Sequence, residues 1–262
     1  MPDSLDEDLA FAHLLADAAD AITRAAFVAG GSVAHRLKDD GTPVTATDVA
    51  VEQALLACVQ EHRPADGFLG EEVGEHGHRG RRWVVDGVDG TTNFVTGDPR
   101  WGTLIALVEG DTPLIGVNTS PAQGCRWWAS RGGGAWSAAL DHSGAATAMP
   151  LEVAAPPVGG IRANVELAWE THPSRPVVEG LVGATRHIAM TTHPGVMVAN
   201  GEADLAVQLA GGPWDFAAVM VIVQEAGGHC VDLAGVEVRQ PRAPMIYLGG
   251  VTASELAQLL DG

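Results

Sequence analysis

The apolar run Trp83-Val84-Val85 stops at Asp86, and a second carboxylate, Asp89, follows three residues later, just before Gly90-Thr91-Thr92-Asn93-Phe94. Two carboxylates at the end of a buried strand, with the backbone N–H groups of small residues beyond them, can hold a divalent cation and phosphate oxygens side by side. Taken alone, Asp86-Gly87-Val88-Asp89-Gly90 also fits a solvated turn, since Asp-Gly pairs favour turns. Three more acids stand in short patterned segments. Asp48 ends Val44-Thr45-Ala46-Thr47-Asp48, Glu71 lies in Gly70-Glu71-Glu72, and Asp215 follows Gly211-Gly212-Pro213-Trp214. Asp48 with Thr45 reads equally well as a helix cap. Asp215, at the start of an apolar helix closed by Gly227-Gly228, is favoured there by the helix dipole, and capping is compatible with metal ligation.

The stretch from Asp86 to Phe94 closely resembles the signature D-P-[IL]-D-G-T-x-N-[FY] of the inositol monophosphatase family, magnesium-dependent and lithium-sensitive phosphatases. The family's V-T-x-x-D and G-E-E motifs are matched upstream by Val44 to Asp48 and Gly70 to Glu72. Its W-D-x-A-A and E-A-G-G are matched downstream by Trp214 to Ala218 and Glu225 to Gly228. An ordered set spanning Val44 to Gly228 is far more specific than one motif.

Carried over residue by residue, the resemblance implies a first magnesium held by Glu71, Asp86 and the Val88 carbonyl, and a second held by Asp86, Asp89 and Asp215. A third, weaker ion leaning on Glu71 makes two to three per site. Gly90, Thr91 and Thr92 would meet the phosphate, while Thr91 and Asp48, with Glu71, would act in catalysis by orienting and deprotonating the attacking water. In-line hydrolysis of this kind needs no covalent phosphoenzyme. A catalytically idle member would lack a ligand, whereas all four carboxylates and Thr91 are present.

The implied substrate is a small phosphorylated polyol, sugar or sugar-like metabolite, with histidinol-phosphatase, fructose-bisphosphatase and nucleotide 3′-phosphatase activities as alternatives. Gly87 stands where the family usually has proline, which is expected to loosen the loop between ligands by enlarging the unfolded ensemble and so to lower metal affinity while ligand chemistry survives. In the second half, Ala189-Met190-Thr191-Thr192 and Gln208 fall where the family carries a Gly-Ser/Thr-Ala-Ala run and a glutamate for substrate hydroxyls. Thr191, Thr192 and Gln208 are therefore the expected substrate contacts, with Arg100, Trp101, Arg186 and His187 further candidates, and with packing the better expectation for Trp101 and His187. The arginine and Trp-Gly-Asp run typical of the histidinol-phosphate branch is not found here.

Composition agrees with a small anionic substrate brought in by metal. A formal charge of -18 and a single lysine, Lys38, argue against a nucleic-acid surface. Cys58, Cys125 and Cys230 are few and widely spaced, the chain starts with acidic residues, and no apolar run approaches the ~20 residues of a membrane span. These features predict a cytoplasmic protein with no membrane partner, and the family habit implies a homodimer.

The elements that must position these groups follow from periodicity. Apolar residues at helical spacing from Leu5 to Ala26 predict a long first helix from Ser4 to Gly30-Gly31, and Asp48 to Glu61 predicts a second, with Val51, Ala54, Leu55 and Val59 inward. Trp83–Val85, Thr103–Val108, Leu114–Asn118, Arg126–Ala129 and Ala135–Ser137 read as strands of one sheet. The stretch Asp141 to Pro157 is the expected hinge between a lobe of residues 1–150, with the metal and phosphate site, and a lobe of residues 151–262 that contributes Asp215. Beyond it, strands at Gly160–Asn164, Arg186–Ala189, Leu205–Gln208 and Met245–Leu248 alternate with helices at Gly195–Gly201, Trp214–Ala226 and Ser254–Leu260. The class is α/β, and the resemblance implies a layered α-β-α-β-α sandwich of the inositol monophosphatase / fructose-1,6-bisphosphatase type.

Overall fold

Helix α1 (Leu5–Ala26) starts where Ser4 and Glu7 cap each other, the Glu7 N–H donating to Ser4 Oγ and the Ser4 N–H to Glu7 Oε2. Its buried stripe is Phe11, Ala12, Leu15, Ala16 and Ala19, while Leu14 is 60% exposed and belongs to the solvent side. A hairpin of β1 (His35–Leu37) and β2 (Pro43–Thr45) leads into α2 (Ala46–His62), capped by Thr45. The computed structural model describes residues 4–140, 147–155, 159–165 and 173–261.

Eight strands follow in one sheet: β3 (Gly67–Gly70), β4 (Gly74–His76), β5 (Arg81–Asp89), β6 (Gly102–Glu109), β7 (Thr112–Ser120), β8 (Cys125–Ser130), β9 (Gly134–Ala139) and β10 (Met149–Pro150). Its order is β10-β9-β8-β7-β6-β5-β3-β4, and short α3 (Thr91–Thr96) interrupts the chain between β5 and β6. The central strands alternate strictly. Trp83, Val85, Ile105, Leu107, Ile115 and Val117 face α1 and α2, whereas Val84, Leu104, Ala106 and Val108 face the opposite layer. Fully burying side chains of this size contributes ~1.5–3 kcal/mol each relative to exposure.

That opposite layer is α5 (Pro194–Ala199) and α6 (Pro213–Glu225). Phe216 through Val223 are all buried, as a helix apolar on every side must be when sheets cover both flanks. The second sheet has five strands, β11 (Arg162–Val165), β12 (Arg186–His187), β13 (Leu205–Gln208), β14 (His229–Val231) and β15 (Met245–Leu248), in the order β12-β11-β13-β15-β14. Ala206, Met245 and Tyr247 face α6, while Leu205, Val207 and Ile246 pack with Val178 and Leu181 of α4 (Arg175–Ala184) and Leu256 of α7 (Ala253–Asp261). The layers therefore run α-β-α-β-α, as expected.

The differences are local. Helix α4 and strands β1, β2, β3, β4, β10 and β14 are absent from the sequence reading. Of the expected hinge, residues 141–146 and 156–157 lie outside the described residues, and the rest is pinned: β10 pairs with β9, the Leu151 N–H donates to Ala135 O and the Val153 N–H to Ala226 O. His187 is exposed on β12 and does not pack in a core.

Candidate active site at the carboxylate cluster

Strand β5 delivers the first two carboxylates. On a regular strand, residues three apart point to opposite faces. Here the pairing of β5 with β6 slips between Asp86 and Asp89, and the two carboxylates meet that of Asp215, with one oxygen from each lying within 4.8 Å of the others. Gly87, between them, is held tightly. Its N–H donates to Glu52 Oε1 at 3.4 Å, its carbonyl accepts from Thr103 Oγ1 at 2.8 Å, and a Cβ would come within 2.7 Å of the Asp48 carbonyl oxygen. These contacts hold the loop in place in the folded chain.

Asp215 sits in the first turn of α6 and accepts from the Gly212 N–H at 2.6 Å, so it caps the helix and joins the cluster at once. Gly211 permits this approach, at φ +137 and with no Cβ to strike the Asp215 carboxylate. Burial raises the Asp215 pKa from 3.8 to about 7, with the Glu71 charge adding to the rise. Asp86 is enclosed; burial first, then Glu71, Asp215, Asp89 and Glu52, pushes its pKa well above the usual range. An all-oxygen donor set that repels itself in a desolvated place fits a divalent cation, which would neutralise what the protein leaves uncompensated.

Glu71 stands beside this cluster, where Lys38 holds it: Nζ lies 2.7 Å from Glu71 Oε1 and also contacts Glu72. Burial raises the Glu71 pKa and the Lys38 ammonium opposes the rise. Glu52 was not anticipated. It is fully buried on α2, and its carboxylate accepts the N–H groups of Glu71, Glu72, Val73 and Gly87, joining the Gly70-Glu71-Glu72 turn to the Asp86 loop. Burial raises its pKa to about 7. One signal was available: Glu52 lies four residues after Asp48 and beside Val51 on the inward face of the helix.

Asp48 divides its two oxygens between roles. Oδ2 accepts from the Thr45 N–H at 3.0 Å in the helix cap, and Oδ1 accepts from Thr91 Oγ1 at 3.1 Å. Thr91 Oγ1 also lies 2.9 Å from the Val88 carbonyl. Gly90, at φ +78, turns the chain into α3, and its carbonyl accepts from the Asn93 and Phe94 N–H groups, so the Thr91 and Thr92 amides precede the first N–H that bonds within the helix.

The cluster opens into a cavity of about 480 Å³ lined by Asp89, Gly90, Thr92, Arg100, Trp101, Asn118, Thr192, Gln208 and Asp215 among others. Gln208 reaches it with its Oε1 already accepting from Tyr247 Oη at 2.9 Å. Thr192 is buried in the wall, whereas Thr191 is exposed, gives its hydroxyl to Glu202 at 2.6 Å and does not line the cavity. Arg100 is tied to Asp98 and to the Met190 carbonyl at 3.0 Å, while Arg186 is exposed on β12. Trp101 packs on Phe94 and Phe27 and is one of the residues of the wall.

A profile of the inositol monophosphatase family matches residues 4–260. The histidinol-phosphatase of Mycobacterium tuberculosis is 39% identical over 240 residues, covering 88% of this chain and 89% of that protein. A Streptomyces griseus protein described as glucose-1-phosphate thymidylyltransferase is 35% identical over 258 residues, 97% of this chain and 96% of that protein. Among solved structures, the extragenic suppressor protein suhB of Bartonella henselae shares the fold at a TM-score of 0.81 and 23% identity, over 98% of each chain. The match runs along nearly the whole length of a fold that brings Asp86, Asp89 and Asp215 together, and the chain belongs to the inositol monophosphatase family, a phosphoric monoester hydrolase.

Proposed function

We propose that this protein hydrolyses the phosphate monoester of a small polyol, sugar or sugar-like metabolite with two to three magnesium ions, held by Glu71, Asp86, the Val88 carbonyl, Asp89 and Asp215. The observation that carries the reading is the meeting of Asp86, Asp89 and Asp215 beside a cavity that Asp89 and Asp215 line, with Thr91, hydrogen-bonded to Asp48, on the same loop as Asp89. Bound there, magnesium supplies charge neutralisation on the phosphate and a more acidic water. The chain's own residues do the rest. Amides of Gly90, Thr91 and Thr92 hold phosphate oxygens. Thr91 Oγ1 takes a proton from the attacking water as its own passes to Asp48 Oδ1, which burial makes more basic than an ordinary aspartate.

A second reading, histidinol phosphate as substrate, is favoured by the 39% identity to the histidinol-phosphatase. Nucleotidyl transfer is disfavoured, because a triphosphate calls for free cations, whereas Lys38 is engaged with Glu71 and Glu72 and Arg100 with Asp98. The deciding experiment is a phosphate-release screen with magnesium, with and without chelator and lithium, across inositol, sugar, histidinol and nucleotide monophosphates. Phosphate release from one of the first three that chelator and lithium both suppress is expected. Release that continues in chelator, or thymidylyl transfer in its place, would overturn the reading.

A further inference from the structure

Asn118 is the one residue of the β7 stretch from Ile115 to Val117 and beyond whose side chain breaks an apolar run with an amide, and it is only 2% exposed. It pairs opposite Leu104 on β6 and Trp127 on β8. Gly116, two residues earlier on the same face, lies against the Ala218 carbonyl of α6, so this face looks into the layer between the sheets. At Asn118 the cavity takes the place of the helix.

The amide is committed to nothing. Its Oδ1 is buried without a hydrogen-bond partner, and among the described residues none accepts from its nitrogen. A buried amide of this kind is a standing cost to the fold and calls for a reason. Room has also been made for it: a Cβ at Gly102 would lie 2.6 Å from Asn118 Oδ1, so the neighbouring strand needs a residue with no side chain there. Trp101 Nε1 and His193 Nε2 of the wall are likewise buried without a partner, but each ring nitrogen is a single fixed group, whereas the amide offers both a donor and an acceptor. Gln208 already accepts from Tyr247, which fixes the orientation of its amide, Arg100 is held by Asp98 and the Met190 carbonyl, and the carboxylates of the wall, Asp89 and Asp215, belong to the cluster.

We propose that Asn118 is a specificity-determining residue that reads an uncharged hydrogen-bonding group on the alcohol part of the substrate, either a hydroxyl or a ring nitrogen. A half-turn of the amide presents NH₂ or C=O at the same point, so it can donate to an acceptor or accept from a donor as the alcohol requires. The inference rests on the phosphatase reading above.

The test compares wild type with Asn118→Val, using inositol 1-phosphate and histidinol phosphate as the two probes and phenyl phosphate, which carries no such group, as the reference. The expected result is a fall of about tenfold in kcat/KM for the better probe relative to phenyl phosphate, carried mainly by KM, with a melting temperature equal to or above that of wild type, because an orphan amide has been removed. Which probe shows the fall tells a hydroxyl from a ring nitrogen. A ratio unchanged within about twofold, or a parallel loss on all three esters with a lowered melting temperature, would overturn the proposal. Asn118→Ser, smaller and still polar, gives the same comparison with an intermediate ratio should the valine variant not fold. An active wild type with an unchanged ratio defeats the inference alone, whereas a wild type that releases phosphate from no ester defeats the phosphatase reading itself.

Discussion

Thr91 Oγ1 donates to Asp48 Oδ1 across 43 residues of sequence, at 3.1 Å, while the other oxygen of Asp48 caps α2 through Thr45. The cap fixes the carboxylate, and the fixed carboxylate fixes the hydroxyl. A base held this way needs no reorganisation when a proton arrives.

Thr91→Ala should therefore lower kcat by about 10²-fold or more, with little change in KM, since the backbone N–H that would meet phosphate remains. Steady-state kinetics on the best ester checks this. A rise in KM at constant kcat would make Thr91 a binding residue only.

Glu52→Gln keeps shape but gives up an acceptor at a carboxylate that receives four backbone N–H groups. The expected cost is ~1–3 kcal/mol of stability by denaturant unfolding. Because the same carboxylate ties Glu71 to the Asp86 loop, the variant should also need more magnesium for half-maximal activity. A stable variant with wild-type magnesium dependence would reduce Glu52 to an ordinary cap.

Lys38→Met removes the ammonium that holds Glu71 and Glu72. Since the proposed metal and Lys38 compete for Glu71, the magnesium requirement should fall by about fivefold, the scale of a partly exposed ion pair. A magnesium titration of activity reads it. A higher requirement would mean that Lys38 orients Glu71 for the metal.

Asp215 has a folded pKa raised from 3.8 to about 7, so in the metal-free protein the folded state holds a proton that the unfolded chain releases. Its contribution to stability is therefore lost as pH rises through that window. Asp215→Asn should gain stability relative to wild type as pH rises from 3.8 to about 7 in chelator, and magnesium should raise the wild-type melting temperature more at alkaline than at acid pH. Melting curves in chelator and in magnesium decide it; parallel curves for the two proteins would contradict the assignment.

The groups legible in sequence were those whose chemistry is local. Asp86, Asp89 and Thr91 lie within six consecutive residues, and Thr45 with Asp48 within one helical turn, so spacing carries their geometry. Asp215 could be placed only by motif order, because its meeting with Asp86 comes from the packing of α6 between two sheets. Glu52 and Lys38 escaped because their partners are 19 to 35 residues away, where no periodicity reports on them. Helix α4 escaped for a different reason: Gly180 and Gly183 weaken its propensity, and tertiary burial of Val178 and Leu181 restores it. Thr191, beside the wall residue Thr192, is exposed with its hydroxyl on Glu202, and His187 is exposed on β12, because the side that a residue next to a motif position faces is set by packing and not by motif order.

The central claim is that the Asp86, Asp89 and Asp215 cluster works through a divalent cation. The direct measurement is phosphate release by wild type and Asp89→Asn, each assayed in chelator, then with magnesium restored, alongside a melting curve of the variant. The expected result is no turnover in chelator, recovery with magnesium, and for Asp89→Asn a loss of more than ~10²-fold, on the order of 3 kcal/mol, in a protein that still folds. Full turnover in chelator, or near wild-type activity in Asp89→Asn, would contradict it.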